Sequence, residues 1–384
     1  AKSKYNIINN NNRLYALCFT CHSTRKMNDG RISALLDGPG YHAANQAFLK
    51  YWSSDNDELL DFIRNHAPTS IGSGIIGADE NYEQTTTATT TATTSGVYEV
   101  LSVGAGDGRR DAAALDVLDE ILPNTIRTIK YTAIEPSEEQ MKALRERFES
   151  RTAAAAAAAR VDTGKRSRSI VMTPTTETTM TAEEFDFSSR GNYYDLILFT
   201  HSLYHMPGSE KVVLSKAIHA LRPTSGRIIA ALSTEQGGIF QLMGTFWQKI
   251  DYSRFEVDNN NGGLFGQESL MKLLKDNNEF GGDGENNCRL VELLQLPDVY
   301  IDVSICLNDD DAGGGDSDLD DDSNEEGIHL LNFVLQSDTT KLPTEVKEQV
   351  LEELKAKAPR SANNGRHHLP HGSGIFLISS TYFS

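Results

Sequence analysis

Val97-Tyr-Glu-Val-Leu-Ser-Val-Gly-Ala-Gly-Asp-Gly-Arg-Arg-Asp111 reads as a buried strand that breaks into a glycine turn at Gly104, Gly106 and Gly108 and leaves it as a helix. Glycine lets the backbone turn tightly and come close to a ligand. Further along, Ala133-Ile-Glu-Pro-Ser137 reads as a second buried strand ending on a carboxylate, Glu135. A carboxylate at that strand tip is placed to accept hydrogen bonds from two ribose hydroxyls. A bare Gly-x-Gly-x-Gly also fits an ordinary strand-to-helix turn; the order strand, turn, helix, strand, acid makes it more specific. The third glycine comes one residue earlier than in the dinucleotide pattern Gly-x-Gly-x-x-Gly, and Asp107 and Asp111 stand where a pyrophosphate would be repelled. Both features point to a cofactor with a ribose and no phosphates, S-adenosylmethionine, and away from NAD.

The rest of the chain extends the alternation. Strands are expected near Val97–Val103, Lys130–Ile134, Ser169–Met172, Asp195–Thr200, Arg227–Leu232, Arg289–Leu294 and Ile375–Ser380. Helices are expected near Arg109–Ile121, Ser137–Ser150, Gly208–Leu221, Ile239–Asp251, Gln267–Lys275, Gly327–Leu335 and Pro343–Lys357, with the alanine run Ala153–Ala159 a possible extension of the second. Tyr41 to His66 has helical spacing ahead of the first strand. Such alternation implies an α/β, Rossmann-like, seven-stranded and mostly parallel sheet with helices on both faces. The organisation expected is a loosely ordered segment over 1–30, a helical cap over 31–68 and a low-complexity linker over 69–96 holding the threonine tract Thr85–Ser95. The sheet domain follows over 97–384, with an acidic loop insertion at 308–326.

The net charge is −18, but ten acids lie between Asp309 and Glu326, and without them it is −8. Neither value suits a nucleic-acid partner, which needs a basic face. No apolar run is long enough to cross a bilayer, and residues 1–12 carry no apolar signal core. Four cysteines are too few for a disulfide scaffold. A cytoplasmic, monomeric protein acting on a small molecule is expected. Cys18-Phe-Thr-Cys21-His22 matches a haem-attachment spacing but reads as chance, and His367, His368 and His371 read as a polar loop, so no metal is expected.

Tyr194-Asp-Leu-Ile-Leu-Phe-Thr-His-Ser-Leu-Tyr-His205 is an aspartate-led apolar strand opening into a polar, aromatic loop. In a doubly wound sheet that loop lies beside the cofactor, so His201, Tyr204 and His205 would line the reacting centre. Together these pieces resemble the class I S-adenosylmethionine-dependent methyltransferases, and within them the histamine N-methyltransferases. Leu101-Ser-Val-Gly-Ala-Gly-Asp-Gly108 resembles the glycine motif of that family, and Ile134-Glu-Pro-Ser-Glu-Glu-Gln140 its Glu-Pro-Ser-x-Glu-Gln signature. Tyr41 with Phe48 resembles its substrate helix, Phe246-Trp247 with Ser253-Arg-Phe255 its tryptophan helix and aromatic return, and Leu330-Leu-Asn-Phe333 its pocket-closing segment.

The resemblance implies an antiparallel last strand and a helical substrate cap. It implies cofactor contacts from Gly104, Gly106, Gly108, Glu135, Pro136, Ser137, Gln140, Thr200 and Thr179, the last sharing its place with Thr178. It implies a substrate pocket walled by Tyr41, Phe48, His201, Tyr204, Trp247, Phe255 and Phe333, with His201 and Tyr204 at the chemistry. The chain departs from the family in the acceptor shell. Ser54, near Asp55 and Asp57, stands where the family has a carboxylate that grips an ammonium. His201 replaces a glutamine, His205 a tyrosine and Met243 a tryptophan. A nitrogen acceptor in an imidazole or amine is the leading reading; a sulfur or oxygen acceptor and a non-catalytic cofactor-binding scaffold are the alternatives.

Overall fold

Seven strands pair into one sheet, in the order β3-β2-β1-β4-β5-β9-β6, where β1 is Val97–Val103, β2 Thr128–Ile134, β3 Ser169–Met172, β4 Leu196–Thr200, β5 Arg227–Ser233, β6 Asn287–Gln295 and β9 Ser373–Thr381. A computed structural model describes residues 38–51, 57–68, 96–161, 169–172, 179–187, 194–206, 208–223, 225–246, 265–275, 287–296, 299–307 and 321–381. The helices are α1 (Gly38–Tyr51), α2 (Asp57–His66), α3 (Arg109–Ile121), α4 (Glu138–Val161), α5 (Glu210–His219), α6 (Gly238–Phe246), α7 (Gln267–Lys275), α8 (Ser304–Leu307), α9 (Asp321–Leu335) and α10 (Thr344–Lys357). Strands β1 to β5 pair in parallel, β1 with β2 in register from Val97 opposite Thr128 to Val103 opposite Ile134. Strand β9 runs antiparallel to both β5 and β6, as expected of the last strand. Among the described residues no helix is long and apolar enough to cross a membrane.

Three apolar clusters hold the molecule. One covers the sheet face under α5 and α7, with Phe199, Val213, Leu214 and Leu270. A second covers the other face under α2, α3 and α4, with Phe62, Leu115, Tyr131 and Leu144. The third lies off the sheet, where α1, α6, α8, α9 and α10 pack with a small two-stranded antiparallel sheet of β7 (Val299–Asp302) and β8 (His368–His371). The helices of Tyr41–His66 therefore divide: α1 joins the off-sheet cluster, while Phe62 and Ile63 of α2 lie against the sheet.

Helix α4 takes up the extension offered by the alanine run and continues to Val161, as the best helix former should allow. Two expectations are corrected. Residues 368–371 are strand rather than loop, paired antiparallel with β7, and His367 and His371 are buried, the first with its Nδ1 2.7 Å from the Ala358 carbonyl oxygen. The acidic insertion is not all loop: α9 begins at Asp321, and Glu326 accepts hydrogen bonds from Lys50 Nζ at 2.6 and 2.8 Å and from the Tyr51 hydroxyl at 2.9 Å, fastening α1 to α9. The threonine tract, the Cys18–Cys21 pair, Ser54 and Asp55 lie outside the described residues.

Asp195 leads β4 as expected but acts at the amino edge. Its buried carboxylate takes the Arg222 guanidinium at 2.5 and 3.2 Å and the Glu99 backbone N–H at 2.9 Å, tying β1, β4 and the start of β5 together.

Candidate functional site

The carboxyl ends of β1, β2, β4 and β5 meet where the strand order reverses, since β1 has β2 on one side and β4 on the other. Open parallel sheets bind ligands outside such a point. As the chain leaves β1, Gly104, Gly106 and Gly108 all take left-handed φ values of 71°, 58° and 71°. A Cβ on Gly104 would stand 2.4 Å from the Cβ of Ser202, whereas one on Gly106 would meet nothing within 4 Å. Gly104 thus lets the loops after β1 and β4 touch, and Gly106 leaves the outer face of the turn open. Gly104→Ala is expected to cost about 2 kcal/mol, from the strained φ together with the clash. Denaturant unfolding checks this, and an unchanged midpoint would show that the two loops yield freely.

Glu135 ends β2 and is buried. Its Oε2 accepts the Gly106 N–H and its Oε1 the Ser137 N–H, both at 2.9 Å. Burial pushes its carboxyl up to about 7, against the two hydrogen bonds, which favour the charged form. Each oxygen keeps a second lone pair for another donor. Ser137 Oγ accepts the Gln140 N–H at 3.3 Å at the start of α4. Among the described residues both polar atoms of the Gln140 side chain are buried with no hydrogen-bond partner, and so is Ser202 Oγ beside Gly104. Buried polar atoms are normally satisfied. These orphans, with the open face at Gly106, fit a polar, ribose-bearing ligand on the turn. Met180 N–H reaches the Glu135 carbonyl at 3.3 Å, which brings the exposed Thr179 past the same strand tip. Thr200 and Pro136 are half-buried at the ends of β4 and β2, and Thr178 lies outside the described residues.

Asp107 and Asp111 do not face the cleft as bare charges. Asp107 Oδ2 meets Arg147 at 3.1 Å and Arg109 at 3.4 Å, and its Oδ1 accepts the Arg109 N–H at 3.1 Å. Asp111 is buried against the Tyr131 hydroxyl, its carboxyl raised by burial to about 6. The bare negative charge expected at Asp107 is therefore not there: the carboxylate is paired with two arginines and accepts the Arg109 amide at the start of α3.

At the exit of β4, His201 takes a φ of 55°, an uncommon conformation for a residue with a side chain, while its N–H donates to the Ala231 carbonyl at 2.9 Å. Burial, then the charge of Arg110, then His371 and His205, hold its imidazole well below the ordinary histidine range. It is neutral at physiological pH. Tyr204 follows in a single 3-10 turn, Leu203–His205, and packs against both the sheet core and the off-sheet cluster. Burial raises the Tyr204 and Tyr41 phenols, so both hydroxyls stay protonated and can donate.

The rings meet in one group. Tyr41 stands edge-on to His205 at 6.1 Å and tilted to Phe333 at 6.2 Å, Phe48 stacks on Phe333 at 4.0 Å, and His201 lies 6.4 Å from Tyr204. Tyr204 also stands edge-on to Phe240 at 5.7 Å. Tyr41, Phe48, His201, Tyr204 and Phe333 are thus brought together; Trp247 and Phe255 lie outside the described residues. A groove of about 370 Å³ between Thr245, Phe246, Gln349 and Glu353 opens at the far end of α6, away from these side chains.

Sequence reasoning missed three members. Phe240 is a wall residue on α6. His371, read as a loop histidine, is buried with its Nε2 2.9 Å from Ser233 Oγ at the end of β5, its imidazole lowered by burial and by Arg110 to about 4. Arg110, the second residue of α3, acts with its charge on Tyr41, Tyr204, His201 and His371. The alternation of Leu369 and His371 with His368 and Pro370 could have signalled a strand; nothing in the sequence marks Arg110. Among the described residues no group of three His, Cys, Asp or Glu side chains could hold a metal ion.

No family model and no curated protein matches the chain. Among solved structures it is similar to a Bacillus halodurans protein assigned as a methyltransferase, at 14% identity and a TM-score of 0.37 over 75% of this chain and 94% of that one. It is similar to a Galdieria sulphuraria protein assigned as a sarcosine dimethylglycine methyltransferase, at 13% identity and a TM-score of 0.36 over 73% and 77%. A mycolic acid cyclopropane synthase complexed with SAH matches at 12% identity and a TM-score of 0.34 over 74% and 80%. Scores at this level say nothing about acceptor or mechanism.

Proposed function

We propose that this protein is an S-adenosylmethionine-dependent methyltransferase whose acceptor is a nitrogen in a small imidazole- or amine-containing molecule. The observation that carries the reading is the strand-tip site itself: Glu135 beside an open left-handed glycine turn, with the orphaned amide of Gln140 and hydroxyl of Ser202 next to it. Gly104, Gly106, Gly108, Glu135, Pro136, Ser137, Gln140, Thr179 and Thr200 are the residues proposed to hold the cofactor. Bound there, it would supply an electrophilic methyl group on a sulfonium.

The chain's own task is to position the acceptor, exclude water and move one proton. Orientation and proximity can supply on the order of 7–11 kcal/mol of such a barrier. The rings of Tyr41, Phe48, Tyr204 and Phe333 would wall the acceptor, and the Tyr204 hydroxyl would donate a hydrogen bond to it. A nitrogen must offer its lone pair, so it must be deprotonated. A neutral imidazole nitrogen of His201 is suited to orient the acceptor through a hydrogen bond, since the burial and charges that keep it neutral work against its holding the proton. The acidic balance of the chain speaks for a small-molecule partner rather than nucleic acid, and a monomer in the cytoplasm is the state proposed.

Titration calorimetry with S-adenosylhomocysteine and with NAD is expected to give binding to the first alone. Incubation with labelled S-adenosylmethionine and a metabolite panel, with the product resolved by mass spectrometry, then identifies the methylated atom. Binding of NAD, or of neither, would overturn the cofactor reading; methylation at sulfur or oxygen would overturn the nitrogen acceptor.

A further inference from the structure

Ser202 carries a hydroxyl that the fold does not use. It precedes the 3-10 turn Leu203–His205, where a serine hydroxyl ordinarily accepts a backbone N–H and caps the turn. Here it makes no such bond, and the His205 N–H donates to the Ser202 backbone carbonyl at 2.9 Å. Its φ of −115° and ψ of −29° are open to any residue with a side chain, so the backbone does not call for serine either. Ser202 is 3% exposed, and among the described residues its Oγ has no hydrogen-bond partner. A buried hydroxyl in that state is destabilising, and an alanine would place the same Cβ there without leaving a polar atom unsatisfied.

Its position supplies a use. A Cβ on Gly104 would stand 2.4 Å from the Ser202 Cβ and 3.3 Å from its Oγ, so the serine side chain lies over the bare α-carbon at the tip of β1. The strand order β2-β1-β4 sets Glu135, then Gly104 with Ser202, then His201 in a row along the carboxyl edge. The carboxylates of that edge are engaged elsewhere: Glu135 holds the Gly106 and Ser137 amides, and Asp107 is paired with Arg147 and Arg109. With the ribose on Glu135 and the acceptor among the rings near His201, the sulfur of the cofactor has to span the tip of β1, and its amino-acid arm leaves from there. We infer that the Ser202 hydroxyl, over Gly104, binds that amino-acid arm, donating to its carboxylate or accepting from its ammonium. A serine oxygen swings about one bond between staggered positions, so it meets a group seated on the turn with the backbone unmoved. The inference rests on the methyltransferase reading of this site and adds to it the residue that grips the sulfur end.

The test compares S-adenosylhomocysteine with 5′-methylthioadenosine, which lacks the amino-acid arm, by calorimetry on the full chain and on Ser202→Ala. The variant is expected to bind S-adenosylhomocysteine about tenfold more weakly and 5′-methylthioadenosine within about twofold of the wild type. Thermal unfolding supplies a second signature. Without ligand, Ser202→Ala is expected to melt no lower than the wild type, because an unsatisfied hydroxyl is gone, while the upward shift given by S-adenosylhomocysteine shrinks. An unchanged affinity for S-adenosylhomocysteine, an equal loss for both nucleosides, or a lower melting temperature with the ligand shift kept would each overturn the inference. It is also exposed without any variant: a wild-type chain that binds the two nucleosides equally gives the arm no grip, so a poorly folded Ser202→Ala leaves it falsifiable. A wild-type chain that binds neither has failed the methyltransferase reading itself, which is a different result from these.

Discussion

His201→Ala is expected to lower turnover by about 10²–10⁴-fold, the range for loss of a positioned proton acceptor, while S-adenosylhomocysteine affinity stays within about twofold. His201 leaves β4 in a left-handed conformation, its ring centred 6.4 Å from that of Tyr204. A residue held in such a conformation is a candidate for function, because the surrounding fold must offset the strain. Its neutral state comes from burial and from the neighbouring Arg110, His371 and His205, so at neutral pH it offers a lone pair for a hydrogen bond from the acceptor, while the same surroundings oppose full protonation. Steady-state kinetics at saturating cofactor, with calorimetry on the same variant, separates the two effects. Loss of cofactor binding with the rate at saturation preserved would place His201 on the wrong half of the site.

Glu135→Ala is expected to weaken S-adenosylhomocysteine binding roughly 100-fold, since two hydrogen bonds to a charged group are lost at about 1.5–3 kcal/mol each and part is recovered by water. The variant also frees the Gly106 and Ser137 amides that the carboxylate holds at 2.9 Å, so the turn loses its brace along with its acceptor. The wild-type protein carries a matching pH signature. Only ionised Glu135 can accept both hydroxyls, and its carboxyl stands at about 7 in the folded chain. The dissociation constant is therefore expected to rise about tenfold per pH unit below that value and to flatten above it. The effect on folding has the opposite sense. A carboxyl raised from its ordinary 4.5 contributes stability that is full below that value and is lost as pH rises through 7. Glu135→Gln should flatten both curves; a pH-independent affinity in the wild type would show that the ribose does not lie on this carboxylate.

What the sequence made legible was whatever is encoded locally. The strand, turn and helix over 97–121 announce themselves through a continuous apolar run, three glycines and a charged helix face, and the structure keeps the expected bounds of β1 and α3. Glu135, Ser137 and Gln140 were legible because they follow a buried strand within one helical turn. Features made by distant segments were not. Strand β8 has four residues, two of them histidines, and exists only because β7, some seventy residues earlier in the chain, pairs with it. Nothing local marks Arg110, whose electrostatic coupling to Tyr41 and Tyr204 exists only because α1 and the loop after β4 come to the start of α3. Asp107 looked like a charge facing the ligand because Arg147, its partner, comes from α4.

The hydrogen bonds of Lys50 and Tyr51 to Glu326 join residues 276 and 275 positions apart, the first exposed and the second partly buried. Closing a loop of that length costs more chain entropy than any pairing among β1 to β5, and the pair itself returns under about 1 kcal/mol. In folding, α1 is therefore expected to dock after the sheet has formed, and in the native state to lift off while every strand stays paired. Amide hydrogens of α1 should then exchange ahead of those of β1, and a shared, global rate for the two would refute that order. A molecule that breathes in this way exposes its ring pocket and keeps its glycine turn intact, so an acceptor can enter and leave without the cofactor half of the site being taken apart.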